Sequence, residues 1–357
     1  MVAGGFRTFV AGETLDEDKI NDFLMQGVLV FADAAARDAA ITAPVHGQVA
    51  FLKDTNTTLF YDGTSWEGLA AGIEVEYLVV GGGGGGATAT LRTNENAGGG
   101  GGAGGYRCNV SGEDSGGLTS AEEILLIGAG TYPLVVGAGG AGAATSEIAG
   151  SPGFYSEFVS IVSQGGGEGT RSNLPSSSHR RVGGSAGGDA AGFGVGPSGF
   201  GLFRQGFGAD ARTSTVTNAG GGGGAGEVGA GPNSATSKGG DGLSSSIDGT
   251  ATFRAGGGGG TRPGTGAAGG NGGGGTGSNI SVAGTNGSIN TGGGGGGGYV
   301  TGIGGGSGGS GVVIFRVATG TPVSFSSGVT HTTATVGDKT AYIVTATSTT
   351  SETVTIG

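Results

Sequence analysis

Runs of glycine constrain the fold of this chain more than any other feature. Glycine fills 93 of the 357 positions, about a quarter of the chain, against about 7% in average proteins. Glycine loses more backbone entropy on folding than any other residue, so an ordered run needs a compensating interaction. The runs therefore either stay flexible as linkers or pack against one another. They lie at 81–86, 98–105, 137–142, 165–169, 183–188, 220–226, 256–260, 269–277, 292–298 and 302–311.

The first run, in VEYLVVGGGGGGATAT (75–90), has the outline of a dinucleotide-binding turn. Such a turn requires a strand, then G-x-G-x-x-G, then a helix with an acidic residue some 20 positions further on. Here the glycines are followed by a Thr- and Asn-rich stretch that runs into more glycine. Because the pattern recurs along the chain, it indicates an architecture, and we predict no nucleotide site and no cofactor.

Glycine segments in the extended threefold conformation have no internal hydrogen bonds and no side chains. They can therefore lie close together and bond laterally, which satisfies the backbone without a large apolar core. The segments between the runs are short, apolar and β-branched, as strands are and linkers are not. We therefore predict an ordered glycine-rich domain over 73–318, framed by strands. The strand-like segments are EYLVV (76–80), EILLIG (123–128), YPLVVG (132–137), FYSEFVSIVS (154–163) and GVVIFRV (311–317).

Residues 1–72 have ordinary composition and predict a separate small α/β module. Thr14 and Glu17 form a capping box ahead of a helical apolar face. The segment VLVFAD then predicts a strand, and Asp33 is expected to cap a short helix. Two further strands are predicted on either side of TNTT. A module this small needs further burial, so we expect it to attach to a partner or to form trimers. The candidate attachment or oligomer residues are Ile20, Phe23, Leu24 and Trp66.

Residues 319–357 alternate Val, Ile and Tyr with Thr and Ser, which predicts three or four antiparallel strands. The segment is too short for a sandwich of its own and is expected to pair with copies of itself or with the preceding domain. The predicted fold class is thus mainly β and polyglycine-II-like. It combines an α/β N-terminal module (1–72), a glycine-rich domain (73–318) and a short C-terminal antiparallel β segment (319–357).

The sequence offers little for catalysis or metal binding. His46, His179 and His331 lie in different modules without ligand spacing, and Cys108 has no partner motif. No nucleophile elbow occurs, so we predict no enzyme and no metal. The net charge is −11 and the basic residues are scattered, which argues against nucleic-acid binding. We also expect no signal peptide and no membrane insertion.

Two long insertions, 170–182 and 189–212, combine arginine with aromatic residues, as binding loops do. The alternative is that the phenylalanines fill gaps between glycine segments or between trimer subunits. The candidate receptor-binding residues are Arg171, His179, Arg180, Arg181, Phe193, Phe200, Phe203, Arg204 and Phe207.

The segments EYLVVGGGGGG, AGGGGGAGGY, GSPGFYSEF, GGGGGAG and GGSGGSGVVIFRV resemble the glycine-rich domain of bacteriophage tail-fibre and tail-tip adhesins. In that family stacked polyglycine helices form a scaffold, and variable loops between the glycine motifs contact the host receptor. The resemblance covers about 73–318, and ARDAA to DGTSW also looks like the short modules of phage fibres. Because the receptor loops of the family have no fixed residues, no role carries over residue by residue. The Thr-rich segment after residue 318 departs from adhesins that end near their glycine domain.

The resemblance implies a virion fibre or tail adhesin, expected as a homotrimer that binds other virion proteins through its N-terminus and a host cell-surface receptor through its loops. Its expected location is the virion. The alternative is a structural appendage, such as a head fibre, decoration or cement protein, that binds capsid or neighbouring subunits. A tail-spike enzyme acting on polysaccharide is a third hypothesis, which would need paired acids in one groove.

Overall fold

A computed structural model describes residues 28–69, 72–89, 97–144, 149–171, 182–191, 199–210, 217–279, 281–299 and 303–357. The chain divides into two compact units, Met1–Gly72 and Ile73–Gly357. The fold is mainly β, with several sheets and 2% helix, which confirms the predicted fold class. The described residues contain no helix with the length and apolarity that a membrane span requires.

The first unit is a four-stranded sheet with one short helix. Its elements are β1 (Leu29–Phe31), α1 (Ala34–Ala40), β2 (Val49–Leu52), β3 (Thr57–Tyr61) and β4 (Trp66–Gly68), with the strands in sequence order. Asp33 caps the helix, as predicted, by accepting a hydrogen bond from Ala36 N at 2.8 Å. The Trp66 ring lies 5.5 Å from the Tyr61 ring and 4.9 Å from the Arg37 guanidinium, so it packs within this unit. Ile20, Phe23 and Leu24 lie outside the described residues.

The second unit contains the remaining described strands. In the glycine-rich region these are β5 (Ile73–Val80), β6 (Tyr106–Cys108), β7 (Asp114–Ser115), β8 (Thr119–Ser120), β9 (Leu125–Ile127), β10 (Gly130–Val135), β11 (Ser156–Phe158), β12 (Ile161–Ser163), β13 (Leu243–Ser245), β14 (Thr252–Arg254) and β15 (Val312–Ala318). The C-terminal strands are β16 (Val323–Phe325), β17 (Val329–Val336), β18 (Lys339–Thr347) and β19 (Thr353–Ile356). Each of the five segments predicted as strands overlaps one or two of these strands.

Two sheets face each other across an apolar core. One has the order β17-β18-β15-β5-β6, with β9 also paired to β5, and the other has the order β12-β11-β10-β19-β16. The fully buried ring of Phe315 stacks on Phe158 at 4.7 Å and on Tyr342 at 5.0 Å. The opposite face of the first sheet buries Leu78, Ile314 and other side chains in a second apolar cluster.

The C-terminal segment is not a third domain. β18 pairs with β15 along Val313–Ala318, and β19 pairs with β10. Of the two partners left open by the sequence, the preceding domain is the one that the segment joins. Residues 319–357 therefore complete both sheets of the second unit, and the expected boundary at 318 does not separate compact bodies.

The glycine runs form extended segments, here termed rods, that bond to one another laterally. Along rod 81–89 the donors follow a period of three: residues 81, 84 and 87 donate to rod 98–105, residues 82 and 85 to rod 149–154, and residues 83 and 86 to rod 304–311. The carbonyl groups follow the same period and accept from rods 137–143, 165–170 and 292–298. A threefold extended helix with three residues per turn directs its backbone groups in this way. The donor–acceptor distances lie near 2.9 Å, the usual value for such bonds.

Each central rod is enclosed by neighbours on six sides, which makes the array hexagonal. The six neighbours of rod 81–89 also bond to one another in sequence around it. The enclosed rods are 81–89, 98–105, 219–226, 255–261 and 292–298, and rods 183–191, 238–242, 267–270, 273–278 and 284–288 complete the rim. The backbones approach so closely that a Cβ added at Gly84 or Gly101 would meet a carbonyl oxygen well under 3.0 Å away. The lattice thus supplies the compensating interactions that glycine runs need.

Candidate functional site

The lattice has two chemically different ends. At one, the strand end, rods connect directly to strands: Val80 leads into rod 81–89, rod 98–105 into β6, and rod 304–311 into β15. At the other, the loop end, the chain reverses through turns and insertions. The fully described reversals there are 231–237 and 262–266, and the chain also leaves the lattice there at Ala89, Ala144, Arg171 and Ala191.

At the loop end, hydroxyl and carboxylate side chains form hydrogen bonds with the last backbone groups of the rods. The Thr261 hydroxyl donates to the carbonyl oxygens of Gly298 at 2.8 Å and Gly98 at 3.0 Å. Ala190 N donates to Thr170 Oγ1 and to Asp189 Oδ1, both at 3.0 Å. These bonds satisfy backbone groups where the lateral pattern stops. The loop end is therefore a fixed platform, from which Pro263, Gly264 and Thr265 project as exposed residues.

The insertion around the predicted phenylalanines is fixed to the strand end. Gln205 accepts a hydrogen bond from Tyr106 N at 2.9 Å through its carbonyl and from Gln164 N at 2.8 Å through its side chain. Phe207 N donates to Gly224 O at 2.9 Å, and its carbonyl accepts from Ala186 N. Residues 205–207 are thus part of the lattice, and the side chain of Phe207 is half-buried.

Two of the predicted aromatic residues remain in solvent. Phe200 is 67% exposed and Phe203 is 84% exposed. Arg204, next in sequence, adopts the left-handed region with φ 60° and is half-buried, and its shielded Nε atom has no hydrogen-bond partner among the residues that the structure describes. The gap-filling interpretation therefore suits Phe207, whereas Phe200 and Phe203 are available for contact.

The receptor-binding candidates that the structure describes lie at both ends of the lattice. Arg171 lies half-buried at the loop end, and Phe203 and Arg204 lie at the strand end. His179, Arg180, Arg181 and Phe193 lie outside the described residues. The predicted contact role of these residues stays a prediction.

An acidic cleft of about 450 Å³ lies between residues 109 and 124, and sequence reasoning missed it. Its lining includes the carboxylates of Glu113, Asp114, Glu122 and Glu123. No group of His, Cys, Asp or Glu within the described ranges has the arrangement of a metal site. Nearby Cys108 is buried, and burial raises the pKa of its thiol to about 12, so little reactive thiolate forms at neutral pH.

Glu122 anchors the floor of this cleft through a network of hydrogen bonds. Its carboxylate accepts from Tyr77 Oη at 2.9 Å, from Ser115 Oγ at 3.1 Å and from Arg107, whose Nε lies 2.9 Å away. Burial alone would raise the pKa of Glu122, but the bonds from Arg107, Tyr77 and Ser115 outweigh it and lower that pKa. The residues that bond to Glu122 lie 7 to 45 positions away from it in sequence, so no local sequence motif predicts the network.

We expect Glu122→Gln to lower the free energy of unfolding by about 2 kcal/mol at neutral pH, since bonds to a charged carboxylate contribute roughly 1.5–3 kcal/mol. A carboxylate with a lowered folded-state pKa stabilises the protein fully above its unfolded value of 4.5, and this contribution is lost as pH falls through the folded-state value. Urea unfolding across the acid range should show the difference between wild type and variant shrinking below that value. Glu123→Gln, at an exposed neighbour, is the control. A difference that stays constant with pH would contradict the ionised network.

The glycine-rich lattice and its framing strands define a class of protein. The family described as "Glycine-rich domain" matches residues 58–318. The chain belongs to this family. The match begins within the first unit, at β3, and ends with β15. Comparisons with curated proteins and with solved structures give no match.

Proposed function

We propose that the chain is a bacteriophage virion fibre protein, a tail fibre or adhesin, whose glycine lattice holds receptor-binding loops in place. The observation that carries the proposal is the loop end, where insertions of unrelated sequence leave one rigid hexagonal platform. A binding site is more precise on a rigid support than on a flexible one, because less ordering entropy is lost on contact. The first unit attaches the protein to other virion proteins, and the loops meet a protein or polysaccharide on the host cell.

The test places a bulky group at one end of the lattice or the other. Thr265→Cys puts a thiol at the loop end, and Thr250→Cys puts one on the exposed hairpin between β13 and β14 at the strand end. Native Cys108 is buried with a raised pKa, so a maleimide polyethylene glycol labels only the introduced thiol. Adsorption of each labelled protein to host cells is then measured against the unlabelled variant.

We expect the label at residue 265 to weaken adsorption by about tenfold or more, a loss of ~1.4 kcal/mol in binding free energy. The label at residue 250 should leave adsorption unchanged. An unlabelled protein that does not bind host cells at all would reject the adhesin role. Equal effects of the two labels would reject the loop end as the contact surface.

One observation favours a second function, a structural appendage such as a head fibre, decoration or cement protein. Phe200 and Phe203 are strongly exposed on a turn that backbone bonds fix to the strand end. Exposed aromatic side chains on a rigid support suit a contact with a neighbouring subunit. If this function is correct, the purified protein binds particles that lack it, and a Phe200→Ser, Phe203→Ser double variant binds them more weakly while cell adsorption is absent throughout.

A further inference from the structure

Among the described strands, β17 lies at the end of its sheet and is paired along one edge only. Its eight residues, Val329–Val336, pair with β18 on one side, and no strand of the described chain pairs with the other side. Thr330, His331, Thr332 and Thr333 are all exposed, so both faces of the strand reach solvent at this point. An unpaired edge of this length carries a row of backbone donors and acceptors that another strand can use.

The hairpin geometry identifies which residues direct their backbone groups outward. β17 and β18 are joined by the two residues Gly337 and Asp338, and Val336 faces Lys339 across the turn. In such a hairpin the flanking pair is hydrogen-bonded, and bonded and non-bonded pairs then alternate. Val336, Ala334 and Thr332 therefore bond to β18. The N–H and C=O groups of Thr335, Thr333 and His331 point away from the sheet.

The outer edge has few of the devices that usually block strand addition. Residues 331–336 contain no proline, lysine or carboxylate, and the register shift between Thr330 and His331 affects only the start of the strand. The chain has a net charge of −11, yet the only formal charges of the hairpin, on Asp338 and Lys339, cancel. The strand itself, residues 329–336, carries no Lys, Arg, Asp or Glu, so pairing along this edge would bring no like-charged side chains of the strand into contact.

We propose that β17 pairs antiparallel with β17 of a second copy of this chain, across a two-fold axis at Thr333. In this register Thr333 faces its own copy, and His331 faces Thr335 of the second copy, so every outward backbone group gains a partner. The first sheet then continues from one subunit into the next. Antiparallel pairing of an edge with itself closes as a dimer, whereas the sequence led us to expect a trimer.

The test measures the molar mass of the full-length protein by light scattering and sedimentation over a micromolar concentration series. Wild type is expected to dimerise. Thr333→Pro removes an outward N–H without removing a bond to β18, so it should fold normally and associate at least about tenfold more weakly. Thr333→Lys gives a second route to the same loss, because it places two like charges at the axis. Thr350→Lys, at an exposed residue outside the strand, is the matched control and should dimerise as wild type does.

Thermal unfolding of each variant separates loss of association from loss of folding. A monomeric wild type, or a trimer that Thr333→Pro leaves intact, would overturn the proposal. So would variants at residue 333 that fold and dimerise as tightly as wild type. Host-cell adsorption by a folded, monomeric Thr333→Pro protein is measured separately, so failure of this pairing and failure of the adhesin role are distinguishable.

Discussion

Gly101→Ala should prevent stable folding of the second unit. Gly101 lies in rod 98–105, which has neighbours on all six sides, and an added Cβ would lie within 3.0 Å of the Gly84 carbonyl oxygen. Overpacking typically costs about 1–3 kcal/mol where side chains can shift. Here the obstacle is backbone that is itself bonded on several sides, so we expect a loss above that range. Thermal and urea unfolding of the purified variant, or its recovery only in the insoluble fraction, measures the effect.

Gly128→Ala is the matched control for this substitution. Gly128 lies between β9 and β10, and nothing lies within 4 Å of the position its Cβ would occupy. Its backbone is outside the left-handed region, so alanine should be neutral or stabilising by roughly 0.4–1 kcal/mol. If the Gly101→Ala protein has the same free energy of unfolding as the Gly128→Ala control, the backbones of neighbouring rods are not in contact and the lattice is wrong.

Removing residues 319–357 should abolish cooperative unfolding of what remains of the second unit, residues 73–318. The deletion removes β18, which pairs with β15 and whose Tyr342 ring stacks on Phe315. It also removes β19, which pairs with β10. Truncating even one buried phenylalanine costs about 3–5 kcal/mol, of the order of a domain's whole net stability. Circular dichroism and calorimetry of the 1–318 chain are the measurements.

The matched comparison for this deletion removes the other end of the chain. Residues 1–72 form a compact unit of their own, so the 73–357 chain should keep a cooperative transition. A 1–318 chain with the same unfolding midpoint as the full chain would instead mean that the C-terminal strands are an independent appendage.

The strands were predictable because their signal is local. Segments such as EYLVV and GVVIFRV are short, apolar, β-branched and bounded by glycine, and they became β5 and β15. The existence of laterally bonded glycine segments was predictable too, since free backbone groups must find partners. The arrangement of the rods was not. Gly84 bonds to Gly102 and Gly295, and runs without side chains carry no pattern that specifies which run lies beside which.

The candidate site was predicted less completely than the fold. Composition identified the insertion containing Phe200 and Phe203, and both residues are exposed. Their placement at the strand end depends on the direction in which each rod runs, and glycine runs of either direction look alike. The Glu122 network depends on contacts as distant as Tyr77, for which a single sequence holds no signal. For β17 the alternation of apolar residues with Thr and Ser predicted a strand from the sequence. That one of its edges has no paired strand followed only from the strand order in the structure.

Hydrogen exchange of the glycine amides tests the central claim, that the glycine runs are a hydrogen-bonded lattice, most directly. The amides of residues 81–87 and 98–104 each donate to a neighbouring rod and belong to buried residues, so they should open only with global unfolding. We predict that peptides covering these rods, measured by mass spectrometry on the full-length protein, stay protected as long as β5 and β15. Glycine runs that exchange within the first time points, while the strands stay protected, would show flexible linkers and contradict the lattice.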